Sequence, residues 1–267
     1  MPRVSVLMGV YLPGEGTAGL AAAVESVLAQ TFSGFEFLIC DDGSSAAAQA
    51  LLDGYAARDG RVRVLRGSGA KTLPEKLNCC IKAARGELFA RQDADDLSLP
   101  KRFESQVAFL DAHPETAFVG CNVNIFCGGE TCGERRFPEY PQKEDFRFSM
   151  PFIHPSLIFR ADAVRAVGGY SESKRAVLCE DYDLLLRLYA KGYTGYNLQE
   201  KLFSYQVGPD DWKKRRYRHR VNEAVTRFCR FGELGMLPGA LPYVIKPLAV
   251  GLLPHGLVEK LRRRRNA

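Results

Sequence analysis

Leu88-Phe89-Ala90-Arg91-Gln92-Asp93-Ala94-Asp95-Asp96 passes from an apolar run straight into three carboxylates within four residues. The apolar start reads as a strand, and the acids as the loop at its carboxyl end. The arrangement has a counterpart upstream, where Phe35-Glu36-Phe37-Leu38-Ile39-Cys40 ends in Asp41-Asp42-Gly43-Ser44-Ser45. Val4 to Met8 reads as a buried strand and Val62 to Leu65 as a short one. Helices fill the gaps at Leu20 to Gln30, Ala46 to Arg58 and Pro74 to Ala84. Strands that alternate with helices pair in parallel through right-handed crossovers, so the expected fold is α/β. In such sheets ligands bind outside the carboxyl ends of the strands, where both acid clusters lie.

Farther along, Lys101 to Ala112 reads as a helix, Phe118 to Cys121 and Pro155 to Phe159 as strands, and Ala161 to Val167 as a short helix closed by Gly168-Gly169. Glu180 to Ala190 is a helix with acids in its first turn and Gly192 beyond its end. The chain has 267 residues, 46% hydrophobic and 25% charged, which excludes disordered, collagen-like and coiled-coil classes. Its eight cysteines lie partly in apolar runs, and no signal peptide precedes Val4, so reduced cytosolic thiols are expected. Cys121, Cys127 and Cys132 cluster, but without the pairings and histidines of a zinc site.

Three neighbouring carboxylates repel one another unless a cation offsets their charge. Asp93, Asp95 and Asp96 therefore read as a Mg²⁺ or Mn²⁺ site that substrate phosphates complete, or as a solvated loop whose first Asp caps the next helix. Asp41-Asp42-Gly43 reads as a base- or ribose-binding strand end, or as a turn with Ser44 or Ser45 capping the following helix. Glu180 and Asp181 at a helix N-terminus read as a general base kept ionised, or as simple helix preference.

The order of these pieces resembles the family-2 glycosyltransferases, inverting enzymes of the GT-A fold. The resemblance rests on Val4-Ser5-Val6 with Tyr11, Ser26 to Phe32, Asp41 to Ser45, Leu77-Asn78, Arg85-Gly86-Glu87, Arg91 to Asp96, Pro100 to Phe103, His154-Pro155-Ser156, Gly168-Gly169-Tyr170 and Glu180 to Leu184. It implies a mixed, mainly parallel sheet flanked by helices. A catalytic domain would span 1–211, its 1–100 half taking the nucleotide-sugar and its 101–211 half the acceptor. It further implies that Tyr11 borders the nucleotide base, Asp42 binds the base's polar edge and Asp93 contacts ribose. Asp95, with Asp96 assisting, would hold Mn²⁺ or Mg²⁺ against the diphosphate. Asp181 would be the base that deprotonates the acceptor hydroxyl, Glu180 would shape its setting, and His154 would lie on the acceptor or diphosphate side. The implied donor is a nucleotide-sugar, with UDP the expected nucleotide, and the implied acceptor a saccharide or a lipid-linked one in cell-surface polysaccharide or glycolipid synthesis. A catalytically weak scaffold of the same fold and a metal-dependent nucleotidyltransferase are the alternatives. The chain departs from the family pattern in two places. Leu12 follows Tyr11 where a polar residue is usual, and Tyr205-Gln206-Val207-Gly208 lacks the usual Arg and His. Lys213 to Arg216 are candidates to supply the missing cation to phosphate.

Net charge is +6, but from Trp212 onward there are 14 Lys/Arg against three Asp/Glu, and before it 23 against 28. An acidic body with a basic tail excludes a general nucleic-acid coat. Leu234 to Leu253 is 20 residues with Lys246 as its one charge, broken by Pro238, Pro242 and Pro247. Such a stretch suits a surface-lying segment better than a regular span. Residues 212–267 thus read as a helical, basic and apolar extension. It would attach peripherally to an anionic membrane at the cytoplasmic face, or else cover the catalytic domain.

Overall fold

The computed structural model describes residues 1–67, 72–208 and 216–252. Strands β1 (Val4–Val10), β2 (Phe35–Asp41), β3 (Val62–Arg66) and β4 (Leu88–Arg91) alternate with helices α1 (Ala18–Leu28), α2 (Ala46–Arg58) and α3 (Leu73–Ala83). β2 and β4 flank β1 in parallel, and β3 joins β2 in parallel. β2 is buried along its whole length and β1 almost so, as expected of a sheet covered on both faces. The period of two sorts their side chains. Val4, Val6 and Met8 join Phe35, Phe37 and Ile39 in one core layer, while Leu7, Leu38 and Cys40 enter the other.

The second half follows with β5 (Leu97–Ser98), α4 (Arg102–Ala112), β6 (Phe118–Cys127), β7 (Glu130–Arg135), β8 (Ile158–Arg160), α5 (Ala161–Ala166), α6 (Glu180–Ala190) and β9 (Gly195–Gln206). Among the described residues the strands form one sheet, in the order β3-β2-β1-β4-β8-β6-β9-β5, with β7 paired to β6. β8 is antiparallel to both β4 and β6, and β9 runs parallel to β6. The sheet is therefore mixed, as expected. Strand β9 carries no legible pattern. Its middle, Gln199-Glu200-Lys201, faces out, and its register on β6 shifts near Asn122, which breaks the alternation. β7 is exposed throughout and polar, so it has no apolar period to read.

The tail is helical. α7 (Tyr217–Glu233) lies on α6 and the turn Lys174–Ala176, and α8 (Leu241–Leu252) packs on α7. Phe231 is fully buried, and Arg230 Nε lies 2.8 Å from Asp183 of α6. Arg227 Nη1 donates to the carbonyls of Phe146 and Arg147, with its guanidinium 4.8 Å from the Tyr182 ring centroid. Part of the tail's positive charge is thus spent on the body, as in the covering alternative. Among the described residues no helix is long and apolar enough to cross a membrane.

One expectation is corrected. Cys127 and Cys132 are joined in a disulfide across the β6–β7 hairpin, with Cα atoms 5.9 Å apart, and the other six cysteines are free thiols. Gly128 and Gly129, both at positive φ, make the turn of the hairpin, and the register shift at Ile125/Phe126 leaves Cys132 out of the ladder on the strand that returns beside Cys127. A pairing across a five-residue separation has no sequence signature short of the hairpin itself. Thiol titration of the denatured, unreduced chain should count six thiols, rising to eight after reduction; eight before reduction would refute the pairing.

Candidate active site

The acid loop after β4 is built on two buried guanidiniums. Arg102, fully buried at the start of α4, donates to Gln92 Oε1 (3.1 Å), Ser98 Oγ (2.7 Å), Gln106 Oε1 (3.1 Å) and the Arg91 carbonyl (2.8 Å). Gln92 in turn donates to the Asp96 carbonyl at 2.8 Å. Arg91 is buried beneath the loop, and its Nη2 holds Asp93 Oδ1. Buried ions persist only when paired and hydrogen-bonded, so this network fixes the loop's course. Pro100-Lys101-Arg102-Phe103 carried the resemblance, but nothing in it marked Arg102 as the brace.

The three acids differ in setting. Asp95 is exposed and Asp93 half-buried. Asp96 is buried, and its Oδ1 accepts from the Gln206 backbone N–H at 2.7 Å, tying the loop to the end of β9. Its Oδ2 is buried with no hydrogen-bond partner. Burial first, and then the Asp93 charge, raises the Asp96 pKa well above the usual carboxylate range. Among the described residues no group of three or more His, Cys, Asp or Glu is arranged to hold a metal. The set still fits a cation that takes one or two protein carboxylates and completes its shell on a diphosphate, since hard oxygens and an orphaned carboxylate oxygen are what such an ion needs.

At the end of β2, Asp41 is held by Arg66 at 2.5 Å and accepts from Ser44 N. Asp42 is buried against Gly67, where an added Cβ would run into its carboxylate. Ser44 Oγ accepts from Leu12 N at 2.9 Å, and Ser45 Oγ from Ala48 N at 3.3 Å, the helix cap that was the plainer reading. Tyr11 is half exposed beyond β1. Beside it stands Lys76 of α3, which no sequence pattern singled out.

Asp93, His154, Glu180, Asp181 and Tyr205 share the lining of a cleft of about 720 Å³, together with Arg135, Arg136, Phe148 and Met150. Asp93 of the donor-side candidates is thereby brought to one cavity with the acceptor-side ones, whereas Tyr11, Asp42, Asp95 and Asp96 are not among the residues that line it. Leu178 precedes α6 at φ 63°, a left-handed conformation that a non-glycine residue adopts at a cost of ~1–3 kcal/mol, and it starts the turn that delivers Glu180 and Asp181 to the cleft. His154 is buried, with Nε2 2.7 Å from the Tyr170 hydroxyl. Burial and then the nearby Arg91 push its pKa well below normal, so it stands neutral. Tyr170 is itself clamped by Asn78, which donates to its carbonyl and accepts from its N–H, both at 2.9 Å. Arg216 is exposed ahead of α7, its backbone N–H bonded to His219 Nδ1, and it is not among the cleft-lining residues. Lys213 and the arginine run near the C-terminus lie outside the described residues.

Burial, helped by the Asp181 charge, raises the Glu180 pKa from 4.5 to about 7. A carboxyl raised by folding contributes stability that is full below pH 4.5 and is lost as the pH rises through 7. Glu180→Gln should therefore gain ~2–3 kcal/mol on the wild type between pH 5 and pH 8 in chemical denaturation; a difference that does not move with pH would refute this electrostatic picture.

Comparison with known proteins bears on the family and the fold. The model of glycosyl transferase family 2 matches residues 5–167, and that of glycosyl transferase family group 2 matches residues 92–259. The chain is 33% identical over 265 residues to the putative glycosyltransferase EpsE of Bacillus subtilis, spanning 99% of this chain and 94% of that protein. It is 28% identical over 266 residues to the amylovoran biosynthesis glycosyltransferase AmsE of Erwinia amylovora, spanning 96% and 97%. Among solved structures, S. aureus TarS 1–349 in complex with UDP superposes with a TM-score of 0.69 at 17% identity, covering 91% of this chain and 72% of that one. At that identity the likeness speaks for the fold, which is the expected GT-A type.

Proposed function

The chain belongs to glycosyl transferase family 2, and from that premise we propose that it inverts configuration as it moves a sugar from a nucleotide-sugar, a UDP-sugar by expectation, to the hydroxyl of a saccharide or lipid-linked acceptor in cell-surface polysaccharide synthesis. The observation that carries this reading is the meeting of the Asp93 loop and the Glu180-Asp181 helix start across one cleft. The acceptor oxygen attacks the anomeric carbon from the face opposite the diphosphate, the carbon–oxygen bond to the diphosphate breaks, and Asp181 takes the acceptor proton. Asp93, held by Arg91, faces the ribose, and Tyr11 and Asp42 face the base. Glu180 borders Asp181 with a carboxyl that titrates near neutrality. His154, neutral and hydrogen-bonded to Tyr170, forms wall rather than counter-charge. A Mn²⁺ or Mg²⁺ ion held by Asp95 and Asp96 would supply neutralisation of the charge that grows on the departing diphosphate.

Titration calorimetry with UDP and Mn²⁺, beside a transfer assay, tests these roles. Asp95→Ala should lose the metal-dependent part of UDP binding. Asp181→Asn should bind UDP as the wild type does and lose ~10²–10⁴-fold in kcat. Full transfer by Asp181→Asn would sink the base assignment.

The same proposal places the enzyme at the cytoplasmic face of an anionic membrane. Its support is a stripe of exposed apolar side chains on each tail helix: Tyr217, Val221, Val225 and Phe228 on α7, and Leu241, Ile245 and Leu252 on α8. The buried faces of these helices go to the body and the apolar stripes stay outside, within a segment of net charge +11. Flotation with anionic liposomes should carry the wild type upward and leave Val225→Glu/Phe228→Glu in the dense fraction; equal partitioning would remove the membrane from the proposal.

A further inference from the structure

Lys76 lies in the first turns of α3, where the helix presses against β1. An added Cβ on Gly9 would stand 3.0 Å from Lys76 Cβ and from Leu73 Cδ1, so that glycine lets the helix in. The residue is 5% exposed, and its ammonium lies 5.5 Å from the centroid of the half-exposed Tyr11 ring. Among the described residues no side chain or carbonyl accepts a hydrogen bond from that ammonium. Burial lowers its pKa, and Asp42 is the foremost of the acids pulling it back up. Lysine is almost never buried without a partner, because three donors must find acceptors. Here the nearest opposing charges are on the strand end that carries Asp42, and the open side is Tyr11. Leu73, one turn earlier on the same helix, lines the catalytic cleft, so the two spaces adjoin.

We propose that Lys76 selects the nucleobase of the donor: its ammonium donates to a ring carbonyl while the Asp42 carboxylate accepts from the adjacent ring N–H, with Tyr11 against the base face. This deepens, and rests on, the nucleotide-sugar reading above. An acceptor set beside a donor matches an N–H flanked by C=O, which uracil and guanine present on their pairing edges. Cytosine and adenine present a ring-nitrogen lone pair beside an amino group. In the same orientation that edge would turn the lone pair toward the carboxylate and an N–H toward the ammonium, setting acceptor against acceptor and donor against donor. Lys76 is therefore a specificity residue for uridine or guanosine diphosphate-sugars, placed at the base and away from the reacting carbon.

The full chain is titrated by calorimetry with UDP, GDP, CDP and ADP in the presence of Mn²⁺, alongside Lys76→Met and, should that variant fail to fold, Lys76→Gln. The wild type is expected to bind UDP, GDP or both at least roughly tenfold more tightly than CDP and ADP. Lys76→Met should weaken the preferred nucleotide roughly 10- to 100-fold, as loss of a hydrogen bond to a charged group does, and leave CDP and ADP unchanged, so that the preference collapses. Equal affinity of the wild type for all four, or a preference that survives both substitutions, overturns the selection by Lys76 while leaving the glycosyltransferase reading standing. No binding of any nucleotide overturns both.

Discussion

The acid loop after β4 hangs from one buried guanidinium. Arg102 is inaccessible to solvent and donates to the Arg91 carbonyl at the end of β4, to Gln92 and Ser98 beyond it and to Gln106 of α4. Burial lowers its pKa to about 10, still far above neutrality, so the charge is permanent and must be matched by acceptors. Gln92, Ser98 and the Arg91 carbonyl supply them, and in doing so they fix the path of the chain that displays Asp93, Asp95 and Asp96. Removing one partner of such a network leaves the others unpaired, which is why it rigidifies a site more than its separate bonds suggest. Arg91 repeats the device one layer higher by gripping Asp93.

The acids this scaffold carries are in tension. Asp96 is strapped to β9 and driven toward its neutral form, and Glu180, in the cleft lining, is driven the same way. Glu180 lines the cleft beside Asp93 and Asp181, so the cleft gathers acidic charge that a cation or a proton would offset. Such a cavity suits a reaction in which a proton leaves the acceptor and charge builds on a leaving diphosphate. Part of the acidity of residues before Trp212, plain in the charge count, lies where that chemistry is proposed.

The first half of the fold was legible because its strands are short apolar runs separated by helices of ordinary period, and α2 and α6 have the limits read from sequence. β7 and β9 were not, since an exposed hairpin strand and a strand that bends outward lack alternation. The disulfide was missed because nothing local distinguishes Cys127 and Cys132 from neighbouring thiols until the hairpin folds. At the site, the carboxylates were legible as clusters at strand ends. Arg102 and Lys76 were not, because a cation in a helix reads as a solvated side chain unless its burial is known. Arg216 was assigned by charge alone, and the start of α7 holds it away from the cleft lining.

By itself, then, the amino-acid order determined the α/β class, the family and the clusters of carboxylates at strand ends, because these depend on local period and on acids placed directly after strands. Tertiary structure decided which charges are buried, which of them brace the loop and which line the cleft. It also decided that one face of the tail packs on the body while the other stays apolar and exposed. The physical reason is that burial and pairing are properties of surroundings drawn from distant parts of the chain. A lysine, an arginine or a carboxylate has the same letter in water as in a cavity, and only the fold determines its solvent.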